Sequence, residues 1–243
     1  MLKIACVVDA GVKSPENDDC AVVNNRIISQ GSYHGTEEEG CFVAVCDGVG
    51  GELFGKEAAE TVAGVFSRLC TAFPTVDAVN ESVKKANDAV TDAQKMSFAH
   101  SRMSTTIAGF YINGDDFIAF NVGDSRIYRY RQPYIAQISK DHSMRQAQID
   151  LGCAPKPGQE YVLTRYIGGT HAIPEIVDGT GKVFENDCYI LCTDGVWGML
   201  DSDDFEKILG QNDKTENACQ ALIDLALKKG STDNLSAIVV RRV

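Results

Sequence analysis

CFVAVCDGVGG, residues 41–51, is an uninterrupted apolar run that ends abruptly in an aspartate and a glycine. A run of this length, bounded by turn residues, reads as a strand buried on both faces. It delivers the Asp47 carboxylate to the point where a core strand becomes a loop. The same ending recurs. Tyr189–Cys192 runs into Thr193-Asp194-Gly195, and the strand before Gly123 ends in Asp124-Ser125-Arg126. Asp233-Asn234 stands just before the strand Leu235–Val240, and Asn17-Asp18-Asp19 just before Cys20–Val23.

Carboxylates at such positions are partly desolvated and rigidly held. Several of them converging raise one another's pKa values, and a divalent cation removes the conflict. Hard cations such as Mg²⁺ and Mn²⁺ prefer oxygen ligands from carboxylates, carbonyls and water. A glycine after the aspartate lets a backbone carbonyl approach the ion. Asp-Gly and Asp-Asn are also ordinary turn pairs. For a single pair the turn is explanation enough; the recurrence at strand ends brings the two readings into balance, and pattern alone goes no further.

Outward from this stretch, Lys3–Asp9 is a short apolar strand, and Cys20–Val23 with Arg26–Ser29 makes a hairpin through Asn24-Asn25. Ser32–Glu39 is polar and loop-like. Two helices follow: Ala58, Val62, Val65, Phe66 and Leu69 recur at helical spacing, as do Val79, Val83, Ala86, Val90 and Ala93, with Pro74 between. Thr105–Ile112, Asp116–Val122, Arg126–Arg131 and Ile135–Ser139 are strands whose short joins predict antiparallel neighbours. Ser143–Leu151 is a short helix, Cys153–Gly169 an irregular segment, and Glu216–Lys228 a helix before the closing strand. Such an order lacks the alternation of a parallel sheet. It predicts an α+β fold: a central antiparallel β-sandwich flanked by helix pairs on both faces, with 1–243 as one domain.

At 243 residues the chain can bury roughly 70–75% of its unfolded surface. Its 44% hydrophobic and 23% charged residues are ordinary for a globular protein. A net charge of −11 disfavours nucleic acid and anionic membranes as partners. Nine cysteines without regular spacing, mostly in apolar runs, fit a reducing cytoplasm. No secretory signal or run of membrane-spanning length is seen.

Gly50–Glu57, GGELFGKE, nearly matches a phosphate-binding loop, but Glu57 stands where a Ser or Thr would bind Mg²⁺; Mg²⁺-dependent ATP binding through Lys56 would be its sign. Cys188 and Cys192 share a strand face with no matching Cys or His pair for zinc. His142 reads as a structural hydrogen-bonding residue, and there is no nucleophile elbow.

Taken in order, the segments resemble the metal-dependent protein phosphatases of type 2C. The match is carried by Asn17-Asp18-Asp19, Val45–Gly51 with Gly55, Ser104-Thr105-Thr106, Asn121–Tyr128, Asp141-His142-Ser143, Leu163-Thr164-Arg165 with Ile167-Gly168, Cys192–Gly195 and Asp233–Val240. The resemblance implies hydrolysis of phosphoserine and phosphothreonine proteins by a water bridging two Mn²⁺ or Mg²⁺ ions. It implies that Asp47 bridges both ions and that the Gly48 carbonyl binds one, with Asp194 and Asp233 on the other. Asp18 would act through water, Asp19 would support the site from behind, and Asp124 would help hold a third, weaker ion.

Three departures stand out. Lys13, in Gly11–Asn17, takes the place of the family's phosphate-binding arginine and offers only a point charge. Val49 follows the metal-binding Asp-Gly, leaving the general acid unidentified. Gly198 replaces a further aspartate four residues after Asp194, at the third metal site. The alternative they raise is a pseudophosphatase, a binding module on the same fold. Further expectations are a monomer, a signalling role, a partner Ser/Thr kinase, and Cys153–Gly169 as the surface that reads the substrate.

Overall fold

The computed structural model describes residues 1–13, 16–49, 54–69, 74–96, 98–159 and 161–243. Twelve strands form two antiparallel sheets, six strands in each. In chain order they are β1 (Leu2–Asp9), β2 (Asp19–Val23), β3 (Arg26–Ile28), β4 (Gly31–Glu37), β5 (Gly40–Asp47), β6 (Ile107–Asn113), β7 (Asp116–Val122), β8 (Arg126–Arg131), β9 (Tyr134–Gln137), β10 (Glu175–Asp178), β11 (Cys188–Cys192) and β12 (Leu235–Arg242). The helices are α1 (Gly55–Leu69), α2 (Val76–Met96), α3 (Met144–Asp150), α4 (Asp194–Trp197), α5 (Ser202–Gln211) and α6 (Thr215–Lys228). One sheet runs β4-β1-β12-β11-β8-β9, the other β10-β7-β6-β5-β2-β3.

The layering follows from strands that are apolar on both faces. In β5, Cys41, Val43 and Val45 face the opposite sheet, while Phe42, Ala44 and Cys46 meet α1 and α2. In β1, Ile4, Cys6 and Val8 enter the same inter-sheet core, while Ala5 and Val7 join the layer of α5 and α6. Period-two alternation with no polar face makes each central strand a wall between two cores. The stripe of Val79, Val83, Ala86 and Val90 on α2 is buried as its spacing predicts. The result is the expected helix–sheet–sheet–helix sandwich.

Four local features differ from the sequence reading. Residues 32–37, expected as a loop, belong to the edge strand β4, paired with β1 from Leu2↔Glu37 to Val8↔Gly31. Backbone pairing along an edge needs no apolar side chains, and polar ones protect it. β7 and β8, joined by Gly123–Ser125, are not neighbours but lie in opposite sheets. That join is a corner between the sheets, and it places Asp124 in the gap. β10 pairs with β7, and α5 packs Phe205, Ile208 and Leu209 inward; neither has a counterpart in the sequence reading.

Antiparallel order sends alternate strand ends the same way. The C-terminal ends of β5 and β11 and the N-terminal ends of β2, β8 and β12 therefore meet at one end of the sandwich. This is where the aspartates are.

Candidate metal centre

Asp18, Asp47, Gly48, Asp124, Asp194 and Asp233 line one cavity of about 510 Å³, together with Tyr161, Leu163 and Met199. Asp47 closes β5 and stands directly across from Asp19 at the start of β2. Like charges opposed across a ladder are unfavourable, so the pairing needs compensation. Asp19 does not reach the cavity. It is buried behind it, accepting a 2.8 Å hydrogen bond from the Thr193 hydroxyl, which itself accepts from Ser236 N at 3.0 Å.

Backbone and hydroxyl contacts fix the rest. The Thr105 hydroxyl donates to the Asp47 carbonyl (2.7 Å), and Thr106 N donates to the same oxygen (2.8 Å). Asn234 ties three loops together: its amide donates to Ala10 O (2.8 Å) and Glu16 O (3.2 Å), and its oxygen accepts from Asp18 N (2.9 Å). Gly48 N donates to Asp18 O at 3.1 Å. A Cβ on Gly48 would sit 2.4 Å from the Gly55 carbonyl carbon, and one on Gly195 would sit 2.0 Å from Asn234 O. Neither glycine adopts positive φ. Close approach of chain segments, not turn conformation, demands them, which argues against the turn reading of these two Asp-Gly pairs.

Electrostatically the cavity is unbalanced. Burial, and then the charges of Asp194, Asp19, Asp124 and Asp233, hold the Asp47 carboxyl well above the usual range. Burial followed by Asp194 pushes Asp124 up to about 7. Asp19 and Asp194 are raised by burial first and by neighbouring aspartates next, and Asp18 by burial and then Glu16. The nearest arginine is already engaged. Arg126 grips Asp141 bidentately (3.0 and 2.7 Å) and lies 3.5 Å over the Trp197 ring. Among the described residues, no three His, Cys, Asp or Glu side chains form a group that could hold a metal by themselves. Mg²⁺-like ions do not require one: they keep several waters and take one or two carboxylates each. A cavity with partly exposed carboxylates, Gly48 in its lining and room for water fits such ions.

Lys13 is exposed and is not among the described residues lining this cavity. His142 is structural as expected: its Nδ1 accepts from Gly123 N at 3.2 Å, bracing the corner that carries Asp124. Gly198 lines the cavity. Gly50–Leu53, half of the phosphate-loop-like stretch, lie outside the described residues, as do Ser14 and Pro15 beside Lys13. The sequence reading missed Thr193 and the Thr106–Ser125 hydroxyl pair (2.7 Å). Their signal was weak: buried hydroxyls look like strand residues until their partners are known.

The protein phosphatase 2C profile matches residues 12–148, more than half of the sequence. The chain belongs to the protein phosphatase 2C family. The profile match stops before Asp194 and Asp233, but the structural likeness runs through both. A serine/threonine phosphatase of S. agalactiae superposes with a TM-score of 0.86 at 25% identity over 100% of both chains. The PstP catalytic domain, solved in complex with two manganese ions, gives 0.82 at 23% identity over 99% of each. By sequence, the chain is 25% identical over 247 residues to the serine/threonine protein phosphatase PstP of Mycobacterium tuberculosis. That alignment covers 98% of this chain, which spans about half (45%) of the relative's length. In protein phosphatase 2C terms, the cavity draws its acids from both sheets, so the sandwich itself assembles the site.

Proposed function

We propose that this chain is a metal-dependent serine/threonine phosphoprotein phosphatase, with 1–243 as one catalytic domain. The observation that carries this is the convergence of carboxylates from both sheets on one cavity beside which Arg126 is spent on Asp141. Uncompensated, those charges would repel a phosphate dianion; the site is built to work with cations. Asp47, the Gly48 carbonyl, Asp194 and Asp233 would hold two Mn²⁺ or Mg²⁺ ions, as the PstP catalytic domain holds two manganese ions. Asp18 would act through water, and Asp124 at a third ion. When bound, such ions lower the pKa of a water and neutralise charge developing on the phosphoryl oxygens.

The chain's own contribution is positioning. Thr105 and Thr106 lock the Asp47 backbone, Thr193 holds Asp19 behind it, and Asn234 fixes Asp18 beside Asp233. Tyr161, Leu163 and Met199 also line the cavity. The first two belong to the 153–169 segment, which supports the reading of that segment as the surface that meets the phosphoprotein. Nothing favours a catalytically silent member, since the positions of Asp47, Asp194 and Asp233 are all filled by aspartate.

A paired Ser/Thr kinase, a signalling role and a monomeric state complete the reading. A cytoplasmic setting is supported by the buried thiols, such as Cys188 and Cys192, which burial pushes up to about 11 and about 12 and which stay chemically inert. Among the described residues no helix is long and apolar enough to cross a membrane. The test is turnover of p-nitrophenyl phosphate and a phosphothreonine peptide with and without Mn²⁺. The wild type turns over only with Mn²⁺, and Asp47→Asn loses about a thousandfold, the scale set by removing one strong transition-state contact. Metal-independent turnover, or full activity in the variant, would overturn the reading.

A further inference from the structure

The last row of the β8–β11 ladder before the chain opens into the cavity pairs Arg126, the first residue of β8, with Cys192, the last of β11. Asp124 lies two residues before one partner and Asp194 two residues after the other. The Arg126 side chain makes three contacts at this row. Its Nε and one terminal nitrogen grip Asp141 (3.0 and 2.7 Å), and the other terminal nitrogen donates to the Tyr128 hydroxyl at 3.1 Å. Its central carbon lies 3.5 Å from the centre of the Trp197 ring. Only 17% of the Arg126 side chain and 7% of that of Asp141 are exposed, so water and salt screen the pair weakly. Neither Arg126 nor Trp197 is among the described residues lining the cavity.

The contacts lead to two of the acids. Trp197 closes α4, three residues after Asp194. That helix is four residues long, and no side-chain bond caps its start. A single turn does not support itself, so Asp194 is held by what the turn rests on. The Ser231 hydroxyl donates to Gly195 O at 2.8 Å, and Trp197 is buried beneath Arg126. On the other side, Asp141 precedes His142, which holds the corner of Asp124 by two bonds: its N donates to Gly123 O (2.9 Å) and its Nδ1 accepts from Gly123 N (3.2 Å). The Asn121 amide adds a third, to Lys140 O at 2.7 Å. Arg126 thus closes a ring from the Asp124 corner through Asp141 and back, and clamps the Asp194 turn onto it.

We propose that Arg126 and Trp197 are positioning residues for the metal centre: the stacked pair fixes Asp194 relative to Asp124 against their mutual repulsion, so that cations enter a preset site. Without it, a four-residue turn swings its carboxylate away from its neighbours, and each ion must then draw it back at a cost in affinity. Guanidinium suits this role where ammonium does not, because it grips a carboxylate through a planar fork while stacking on a ring. The inference rests on the phosphatase reading above.

The test reads Mn²⁺ binding directly, as loss of the free-ion electron paramagnetic resonance signal, in the wild type, Trp197→Leu, Trp197→Phe and Arg126→Lys. The three variants keep the net charge, so the overall attraction for the ion is preserved. Trp197→Leu removes the ring, and Arg126→Lys keeps the charge but loses the fork and the stack; each binds Mn²⁺ about tenfold more weakly, the scale of a lost support behind a metal ligand. Trp197→Phe, which keeps a face for the guanidinium, stays within about threefold of the wild type. Turnover of p-nitrophenyl phosphate recovers at saturating Mn²⁺ in every variant, because no group that meets phosphate has changed. Asp187→Ala, at the other end of β11, is the control for lost stability alone: it unfolds at lower temperature with Mn²⁺ affinity intact. Should Trp197→Leu fail to fold, Arg126→Lys, which keeps a cation beside Asp141, decides alone. If either of these two binds Mn²⁺ as tightly as the wild type, or if Asp187→Ala loses as much affinity as they do, the positioning role is overturned, while Mn²⁺-dependent turnover of the wild type leaves the phosphatase standing. A wild type that neither binds Mn²⁺ nor turns over substrate removes both.

Discussion

The two ends of β11 carry the same side chain to opposite fates. At its start, Asp187 is gripped by Arg131 through two 2.7 Å hydrogen bonds and accepts from Phe184 N at 2.9 Å. Burial alone would push that carboxyl up, but Arg131 and the backbone donor outweigh it, and Asp187 titrates below the usual range. At the strand's other end Asp194 faces Asp233 and Asp47 with no arginine of its own, and it titrates above. The neighbouring β12 repeats the contrast, with Asp233 before its first residue and Arg242 at its last, where Arg242 pairs with Asp115 at 2.6 Å. One end of the sandwich has its charges matched by the protein. The other leaves them to be matched from outside, and a functional site is the place where such a mismatch is kept.

The comparison can be broken by titration. With no metal added, Asp124, raised to about 7, costs stability while ionised; the penalty is present above pH 7 and fades as pH falls toward 4. Asp124→Asn should therefore exceed the wild type by up to roughly 4 kcal/mol at pH 8 and match it near pH 4. The difference between the two proteins is the quantity to read. His142, lowered to about 4 by burial and then by Arg165, works the other way as pH falls from 6.5, and it cancels in that difference. A pH-independent gap in denaturant unfolding would mean that the acidic end is already matched.

The opposite end responds in the opposite sense. Asp187→Ala should cost roughly 2 kcal/mol, because Phe184 N and the Arg131 contact lose a buried acceptor. Thermal unfolding measures it, and the metal dependence of turnover stays as in the wild type. A Tm equal to wild type would show that the pair is ornamental. The smallest effect sharpens the boundary of the site: Lys13→Ala, exposed and off the described cavity wall, should change kcat/KM on p-nitrophenyl phosphate less than about twofold, as surface changes usually do. A tenfold loss would place Lys13 on the phosphate after all.

Much of this was legible in the sequence because it was written in apolar runs. Strands buried on both faces cannot be mistaken for amphipathic ones, and their terminal aspartates mark where the runs stop. What stayed illegible depended on partners. β4 is held by the backbone of β1, and its polar residues say nothing of that. The corner at Gly123–Ser125 looks like a hairpin turn, yet it changes sheets, and only the crossing brings Asp124 to Asp194. α5 was readable: Asp201 and Asp204 form a capping box ahead of Phe205, Ile208 and Leu209. For the site, acid positions could be read from strand ends, but not Thr193 beneath Asp19, nor the close contacts that make Gly48 and Gly195 necessary.

The most direct test of the mismatch is the shift in Tm that Mn²⁺ produces at neutral pH in the wild type and in Asp47→Asn. At a hundredfold excess over its dissociation constant a bound ion adds about 2.7 kcal/mol, several degrees in a chain of this length. The account predicts that rise in the wild type and little or none in Asp47→Asn. Equal shifts in both proteins, or none in the wild type, would contradict it.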